Sequence, residues 1–587
     1  MVTSMTHEAF YESGAWSAPD LGISAGWVAD RDSFAAGQLF CNVEKDVVII
    51  FSGECYVDAP LPADFKEKGH TSKNPGHWLI HLYEEHGEQF LGELNGLFSG
   101  LLVDTRRKRA FLFNDRYGLE RIYWHETEGA LYFASEAKAL LRVLPALREF
   151  DAEGVGQFLT WGCTLEDRTL FRGVRLLPGA SLWSFESGKS RKRNYFSVEE
   201  WESQPILPAE SFEVQLEETF KRVLPRYFES ELKIGVSLTA GLDSRMIMAC
   251  RPNNGANPIC YTFSGEKGLT LDDRLAASVA QSCGLDYRLL RIESDFFSNF
   301  GEHADRTVYL TDGCFGLLGA HEIYLNKKAR ELAPVRVTGN YGSEVLRGVS
   351  TFKPTALSPK LLNPKFDGYA ASSRPAIVHG TTHPVTFAAF REVPWKHFGS
   401  LAAGRSQTVF RSPYLDNEIV ALAYRMPRQL RSSPRTAVQI VRKNDPVIGT
   451  IPTDMGLLGN PLLLVNLPRR IFSKITFKLD YFNNEGLPAR FSLLDSSFRR
   501  LTLRTRVLGL HKFLHYRSWF QCELQSYLRH RIADASARQS PFWSADFVRS
   551  MVIEHASGHK NYIREINAVL TLDAVERLFF GNFDSQD

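Results

Sequence analysis

Apolar residues in the first third of the chain come in short runs cut by turn-forming residues, at 47–52, 100–104, 109–114, 121–125, 130–134 and 179–185. Runs of this length rich in Val, Ile, Leu and Phe predict strands, mostly in antiparallel sheets, with helices at 77–86 and 136–143. After a polar stretch at 188–194 the pattern changes. Strands predicted at 233–238, 259–263, 287–292 and 335–338 alternate with helical spacing from Ser244, at 274–283 and at 320–332. Such βαβα order predicts a parallel sheet with helices on both faces, whose ligands sit beyond the carboxyl ends of the strands. The turns at Thr239 and Gly339 are therefore the places to look for chemistry. From about residue 460 onward Leu, Phe and Arg recur at helical spacing, through 567–580, and read as helical packing around the second domain.

With 587 residues the chain exceeds what one core supports, so several domains are expected. Hydrophobic residues make up 44% and charged residues 23%, the usage of a folded soluble protein. A formal net charge of +2 gives no global field for nucleic acid, which is not an expected partner. Between 469 and 538 basic residues outnumber acids (Arg469, Arg470, Lys474, Lys478, Arg499, Arg500, Arg504, Arg506), a pattern that reads first as a solvated helical face and otherwise as a surface for an acidic partner or a membrane. The eight cysteines are scattered without a CxxC pair, which suits a reducing compartment and predicts a cytoplasmic protein. No signal peptide opens the chain, and its apolar runs fall short of the ~20 residues that span a bilayer.

The segment Ser237-Leu238-Thr239-Ala240-Gly241-Leu242-Asp243-Ser244 leaves a buried strand and enters a helix through small and hydroxyl residues. Backbone N–H groups there can face an anion, Thr239 and Ser244 add hydroxyls, and Asp243 adds a carboxylate for Mg²⁺. An ordinary capped helix start uses the same residue types. What separates the two readings is a resemblance. The segment resembles the pyrophosphate loop of the asparagine synthetase family, Ser-Gly-Gly-x-Asp-Ser, with Thr239 for the serine and Ala240 for the first glycine. Tyr261 to Ser264 stand where that family holds adenine. Thr338-Gly339-Asn340-Tyr341-Gly342-Ser343-Glu344 resembles its second loop, and Arg411 to Asp416 its Arg-x-Pro-Phe-Leu-Asp. In the first domain, Leu94 to Phe98, Asn114 to Gly118, Phe133 to Lys138 and Thr169 to Gly179 resemble the family's glutaminase domain and linker, in the same order.

The resemblance implies an antiparallel, Ntn-type glutaminase-like domain (1–190), then a doubly wound parallel α/β pyrophosphate-loop domain (205–460) and a helical extension (461–587). It implies an ATP site formed by Leu238, Thr239, Ala240, Gly241, Asp243, Ser244, Thr262, Phe263 and Gly339, with Mg²⁺ on Asp243. It further implies a small-molecule or peptide carboxylate and an amine or ammonia as reactants, and allows a homodimer. Asp272 reads as a surface or helix-start carboxylate.

The pattern also breaks. Val2 stands where the family has its nucleophilic cysteine, Ser52 where an asparagine donates to the oxyanion, and Pro75 where an aspartate grips the glutamine amine. Cys41 and Cys55 lie in apolar strand patterns and read as structural. The family strand that precedes residue 47 is absent from the expected pattern. In the second half Asn340 and Ser343 replace acids, Val409 replaces a glutamate, and 452–456 replaces a lysine-bearing stretch, leaving Asn340 and Lys443 as candidate catalytic groups. Two functions follow: an ATP-dependent amide-forming enzyme without glutaminase activity, or a non-catalytic nucleotide-binding scaffold.

Overall fold

The structure is a computed structural model that describes residues 1–36, 39–57, 75–252, 257–266, 268–355, 357–364, 366, 368–369, 383–459, 463–486, 511, 513–538 and 540–581, with backbone alone at 75, 77, 463–470 and 485. Arg499, Arg500, Arg504 and Arg506 of the expected basic face lie outside these residues, as do the side chains of Arg469 and Arg470.

The N-terminal part holds eleven strands among the described residues: β1 (Tyr11–Ala18), β2 (Ile23–Asp30), β3 (Phe40–Cys41), β4 (Val47–Val57), β5 (Leu94–Asp104), β6 (Arg109–Asn114), β7 (Tyr123–Glu126), β8 (Leu131–Ala134), β9 (Arg175–Leu176), β10 (Ser181–Glu186) and β11 (Lys189–Asn194). Six form an antiparallel sheet in the order β11-β10-β6-β5-β4-β3. Because strand side chains alternate, each strand feeds two cores. Val47, Ile49, Phe51, Phe111 and Phe113 face the helix Pro75–His86 through Trp78, Leu79 and Tyr83. Leu101, Val103 and Ala110 face the hairpin β1–β2 through Trp16, Ile23 and Ala25, while Leu112 and Trp183 face β7 and β8 through Trp124 and Phe133. The hairpin is a correction to the sequence reading, which placed no strand before residue 47. Its alternation is diluted by small residues, and one of them is required. A Cβ on Gly14 would come 2.6 Å from the Trp27 ring across the pair.

Strands β12 (Ile234–Ser237), β13 (Ile259–Ser264), β14 (Tyr287–Arg291), β15 (Val335–Thr338) and β16 (Val409–Arg411) form one parallel sheet, ordered β14-β13-β12-β15-β16. The chain winds outward from β12 through β13 to β14, then crosses back to β15, so the topological switch lies between β12 and β15. Val236 and Val337 on the two central strands are fully buried, as strands covered on both faces require.

The C-terminal helices, including Gln525–Ala537, Ala545–Ala556 and Ile563–Val575, do more than cover the second domain. Leu528, Val569 and Phe579 share one core with Val155 and Phe171 of the N-terminal part and Phe296, Phe300 and Tyr324 beside the parallel sheet. The extension thus wedges between both sheet systems, with Phe579 edge-on to Phe171 at 5.5 Å. None of the described helices is long and apolar enough to cross a membrane.

Candidate functional site

The segment that leaves β12 is held by its own hydroxyls. Ser244 Oγ accepts from the Thr239 N–H at 3.2 Å, and Thr239 Oγ1 accepts from Gly241 N–H at 3.2 Å. The helix Leu242–Ala249 then starts at Gly241 without a side-chain cap on its first N–H groups, which an anion site requires. Thr262 is buried and ties Leu238 to the neighbouring strand by donating to its carbonyl at 2.9 Å. Phe263 lies half-buried at the end of β13, with the Arg336 guanidinium 4.9 Å from its ring centre.

The loop after β15 closes onto this segment. A Cβ on Gly339 would stand 2.6 Å from Ser244 N and 3.0 Å from the Asp243 carbonyl carbon, so only glycine permits the approach. Tyr341 sits in the left-handed region (φ 73°) although it carries a large buried side chain, a conformation that costs energy and persists only where surrounding packing imposes it. Asn340 is exposed, its Oδ1 accepting from Thr338 Oγ1 at 2.9 Å. Nine residues of the expected ATP site and Asn340 are therefore brought to one place, the switch point. Lys443 is not. It is exposed and donates to Glu217 at 2.7 Å on the helix Ala209–Tyr227, so it is a surface ion pair and not a candidate for phosphate chemistry.

Asp243 is also not a free metal ligand. Its Oδ2 accepts from Ser343 Oγ and from Arg347 Nη2, each at 2.8 Å. Mg²⁺ demands near-octahedral oxygen ligation and usually a carboxylate or two beside phosphate. Here one carboxylate oxygen is spent on a guanidinium, and Ser343 stands where a second acid would be needed. This donor set does not fit Mg²⁺, which corrects the expected metal site, and no group of three or more His, Cys, Asp or Glu among the described residues is arranged to hold a metal elsewhere.

Three neighbours were not legible as site residues. Arg245, fully buried, donates to the carbonyls of Ile451 and Pro452 and so fastens 451–456 over the phosphate turn, where Asp454 N–H reaches Ala240 O at 3.4 Å. Phe513 of the extension closes on the end of β13, since a Cβ on Gly265 would lie 2.8 Å from its carbonyl oxygen. Asp272, expected as a surface or helix-start carboxylate, stands in the first turn of the helix Leu271–Ser282 and accepts the Ala240 N–H at 2.7 Å. Burial, followed by the charge of Asp454, moves its carboxyl from the ordinary 3.8 up to about 6, although the Ala240 N–H works in the other direction. The folded chain therefore binds more protons than the unfolded chain between about pH 4 and pH 6, and Asp272 lowers stability progressively as pH rises through that window. Asp272→Asn keeps an acceptor for Ala240 and removes the buried charge. Its melting temperature should exceed that of the unsubstituted chain above pH 6 and converge with it near pH 4; a gap that does not change with pH would refute the assignment.

In the N-terminal part, Ser52 Oγ donates to Glu120 at 2.7 Å, and Glu120 is itself paired with Arg405 from the other side of the domain interface. A hydroxyl committed to a carboxylate is poorly placed to stabilise an oxyanion. Val2 lies in a short helix against Gly26, lining a cavity of about 190 Å³ with Met5, Val28, Phe51 and Tyr132. Cys55 is buried, and burial pushes its thiol well above the ordinary range, so it is not a nucleophile at neutral pH. Pro75 opens the helix Pro75–His86. Other blocks of the resemblance meet at the interface between the two sheets. Glu54 and Arg411 form a two-pronged pair at 2.8 and 2.9 Å, Asn95 donates to Asp416 at 3.1 Å, and Tyr117 donates to Asn417 at 3.0 Å.

An antiparallel sheet system is thus joined through buried polar pairs to a parallel sheet whose switch point carries the turn from Thr239 to Ser244. Residues 1–196 match the glutamine amidotransferase domain family. Over part of its length the chain is similar to glutamine-hydrolysing asparagine synthetases. It is 26% identical to asparagine synthetase 2 of Oryza sativa subsp. japonica over 43% of this chain and 39% of the relative, and 24% identical to asparagine synthetase 2 of Bacillus subtilis over 57% and 46%. It is also 23% identical to amidase chyE of Penicillium rubens over 56% and 51%. The chain thus spans between about two fifths and half of the length of these curated relatives. Among solved structures it aligns with a glutamine phosphoribosylpyrophosphate amidotransferase from B. subtilis (TM-score 0.19, 13% identity, 46% of this chain and 51% of that one). A second alignment is with an NMN synthetase from Francisella tularensis (0.18, 10%, 48% and 98%).

Proposed function

We propose that the chain is an ATP-dependent amide-forming ligase that works without glutaminase activity of its own, divided at the expected boundaries 1–190, 205–460 and 461–587. The observation that carries this reading is the junction of the two loops at the switch point, where Gly339 abuts Ser244 beside an uncapped helix start. In the proposed reaction a substrate carboxylate oxygen attacks the α-phosphorus of ATP, the bond to the β-phosphate breaks and pyrophosphate leaves. An amine nitrogen then attacks the acyl carbon and AMP departs. Thr239, Gly241 and Ser244 hold the pyrophosphate portion, Leu238 and Ala240 shape the turn, and Thr262, Phe263 and Gly339 bound the nucleoside. In this reading Asn340, exposed beside the turn, donates from Nδ2 to the acyl oxygen. The eight unpaired thiols support a cytoplasmic setting.

The contact of Asp272 with Ala240 favours a second reading, a scaffold whose phosphate turn is permanently satisfied from within. A screen of carboxylates and amines for conversion of ATP to AMP separates the two. AMP release, with no glutamate formed from glutamine, is the expected result. If ATP neither turns over nor raises the melting temperature at millimolar concentration, where a ligand that binds only the folded form must stabilise it, the ligase reading fails.

A further inference from the structure

We propose that Arg347 is the fixed cation of this site, taking the position at Asp243 that a divalent metal would need and meeting the phosphates of a nucleotide directly, so that nucleotide binding is independent of Mg²⁺. This inference rests on the reading of the switch point as a nucleotide site.

The geometry carries it. Arg347 ends the helix Gly342–Arg347, and its Nη2 lies 2.8 Å from Asp243 Oδ2 and 2.5 Å from Ser343 Oγ. Both partners sit at the phosphate turn, because Asp243 is in the first turn of the helix Leu242–Ala249 and a Cβ on Gly342 would stand 2.7 Å from its carboxyl carbon. The guanidinium is largely enclosed, with 16% of the side chain exposed, so solvent screens its charge less than at the surface. One pairing does not exhaust it. A guanidinium offers five N–H donors, and Arg347 Nε is buried without an acceptor among the described residues. That nitrogen is closed to solvent, so a phosphate oxygen, the acceptor that a planar cation binds best, would be met from Nη1, for which no acceptor is found among the described residues. Burial raises the Asp243 carboxyl, and Arg347 and then Ser343 oppose that rise. Mg²⁺ entering at Oδ2 would have to displace both and then stand within a few ångströms of an unpaired guanidinium.

Two neighbouring residues make one device. Ser343 stands where the asparagine synthetase pattern has an acidic metal ligand, and Arg347, one helical turn later, brings a positive charge to the same carboxylate. The ligand class that fits is a nucleoside polyphosphate or pyrophosphate bound as the free anion.

The test is calorimetric titration of ATP into the full chain in millimolar MgCl₂ and in excess EDTA. Affinities within about threefold of each other are expected, whereas a loss of about thirtyfold or more in EDTA overturns the assignment of Arg347 and leaves the nucleotide site standing. Absence of binding in both buffers overturns the site and Arg347 together. In EDTA, Arg347→Gln should weaken ATP binding by about tenfold or more, and the double variant Ser343→Asp with Arg347→Gly should bind ATP only when Mg²⁺ is present. Arg347→Lys keeps the charge and should retain most of the affinity in EDTA. Circular dichroism establishes that each variant is folded, and an Arg347→Gln protein that is folded and binds as the parent does in EDTA overturns the proposal.

Discussion

Gly339→Ala should weaken nucleotide binding severely while leaving most of the protein folded. The added methyl would meet Ser244 N at 2.6 Å and the Asp243 carbonyl carbon at 3.0 Å, both backbone atoms that cannot swing aside as a flexible side chain could. To relieve the contact, the loop after β15 must withdraw from the turn after β12. That movement also separates Ser343 and Arg347 from Asp243, because Gly342 sits against the same carboxylate. Loss of the approach should cost about a hundredfold or more in ATP affinity, equivalent to about 3 kcal/mol. The β12–β15 pairing, from Ile234 opposite Val335 to Ser237 opposite Thr338, lies before the loop, so the sheet should remain assembled. Calorimetry with circular dichroism decides the matter. Gly268→Ala serves as control, since that glycine has nothing within 4 Å of its added Cβ, although its own positive φ brings a small local strain. Unchanged ATP affinity in a folded Gly339→Ala protein would mean that the nucleotide does not bind at the junction of these loops.

Lys138→Met should destabilise the chain more than any surface substitution. Lys138 is 1% exposed and its Nζ lies 2.5 Å from Glu136 and 3.1 Å from Asp312. Asp312 also accepts from the backbone N–H groups of Ala137 and Lys138, so it caps the helix Ala137–Val143 from the far side of the domain interface. Burial pushes Asp312 upward and works against Glu136 as well, but Lys138 and His7 hold Glu136 low; Lys138 is itself raised to about 12. Methionine fills much of the volume and leaves two buried carboxylates without their common cation, which costs about 3–5 kcal/mol. Equilibrium urea denaturation measures the loss, with the exposed Lys443→Met as reference, expected within about 0.5 kcal/mol of the parent. Equal losses from the two substitutions would show that the buried triad does not hold the domains together.

What the sequence determined by itself is whatever depends on residues close along the chain. Short apolar runs cut by turns announced β4, β5, β6 and β10 as mostly antiparallel strands, and the change to strand-helix alternation after residue 194 announced the parallel sheet. The turn Thr239 to Ser244 was legible because its hydroxyls bond within the same few residues. The hairpin β1–β2 escaped notice because its small residues make room for a ring on the opposite strand, a need invisible until the strands are paired. Asp272, Arg347 and Arg245 escaped it for a related reason. Asp272 has the composition of any helix start, and only the side-by-side placement of β12 and β13 brings it to the Ala240 N–H, 32 residues away in sequence. Arg347 finds Asp243 across 104 residues, and Lys138 finds Asp312 across 174. A charge reveals its role through the charge it faces, and in this chain folding alone decides which carboxylate meets which cation, and so whether Asp243 is offered to a metal or kept by an arginine.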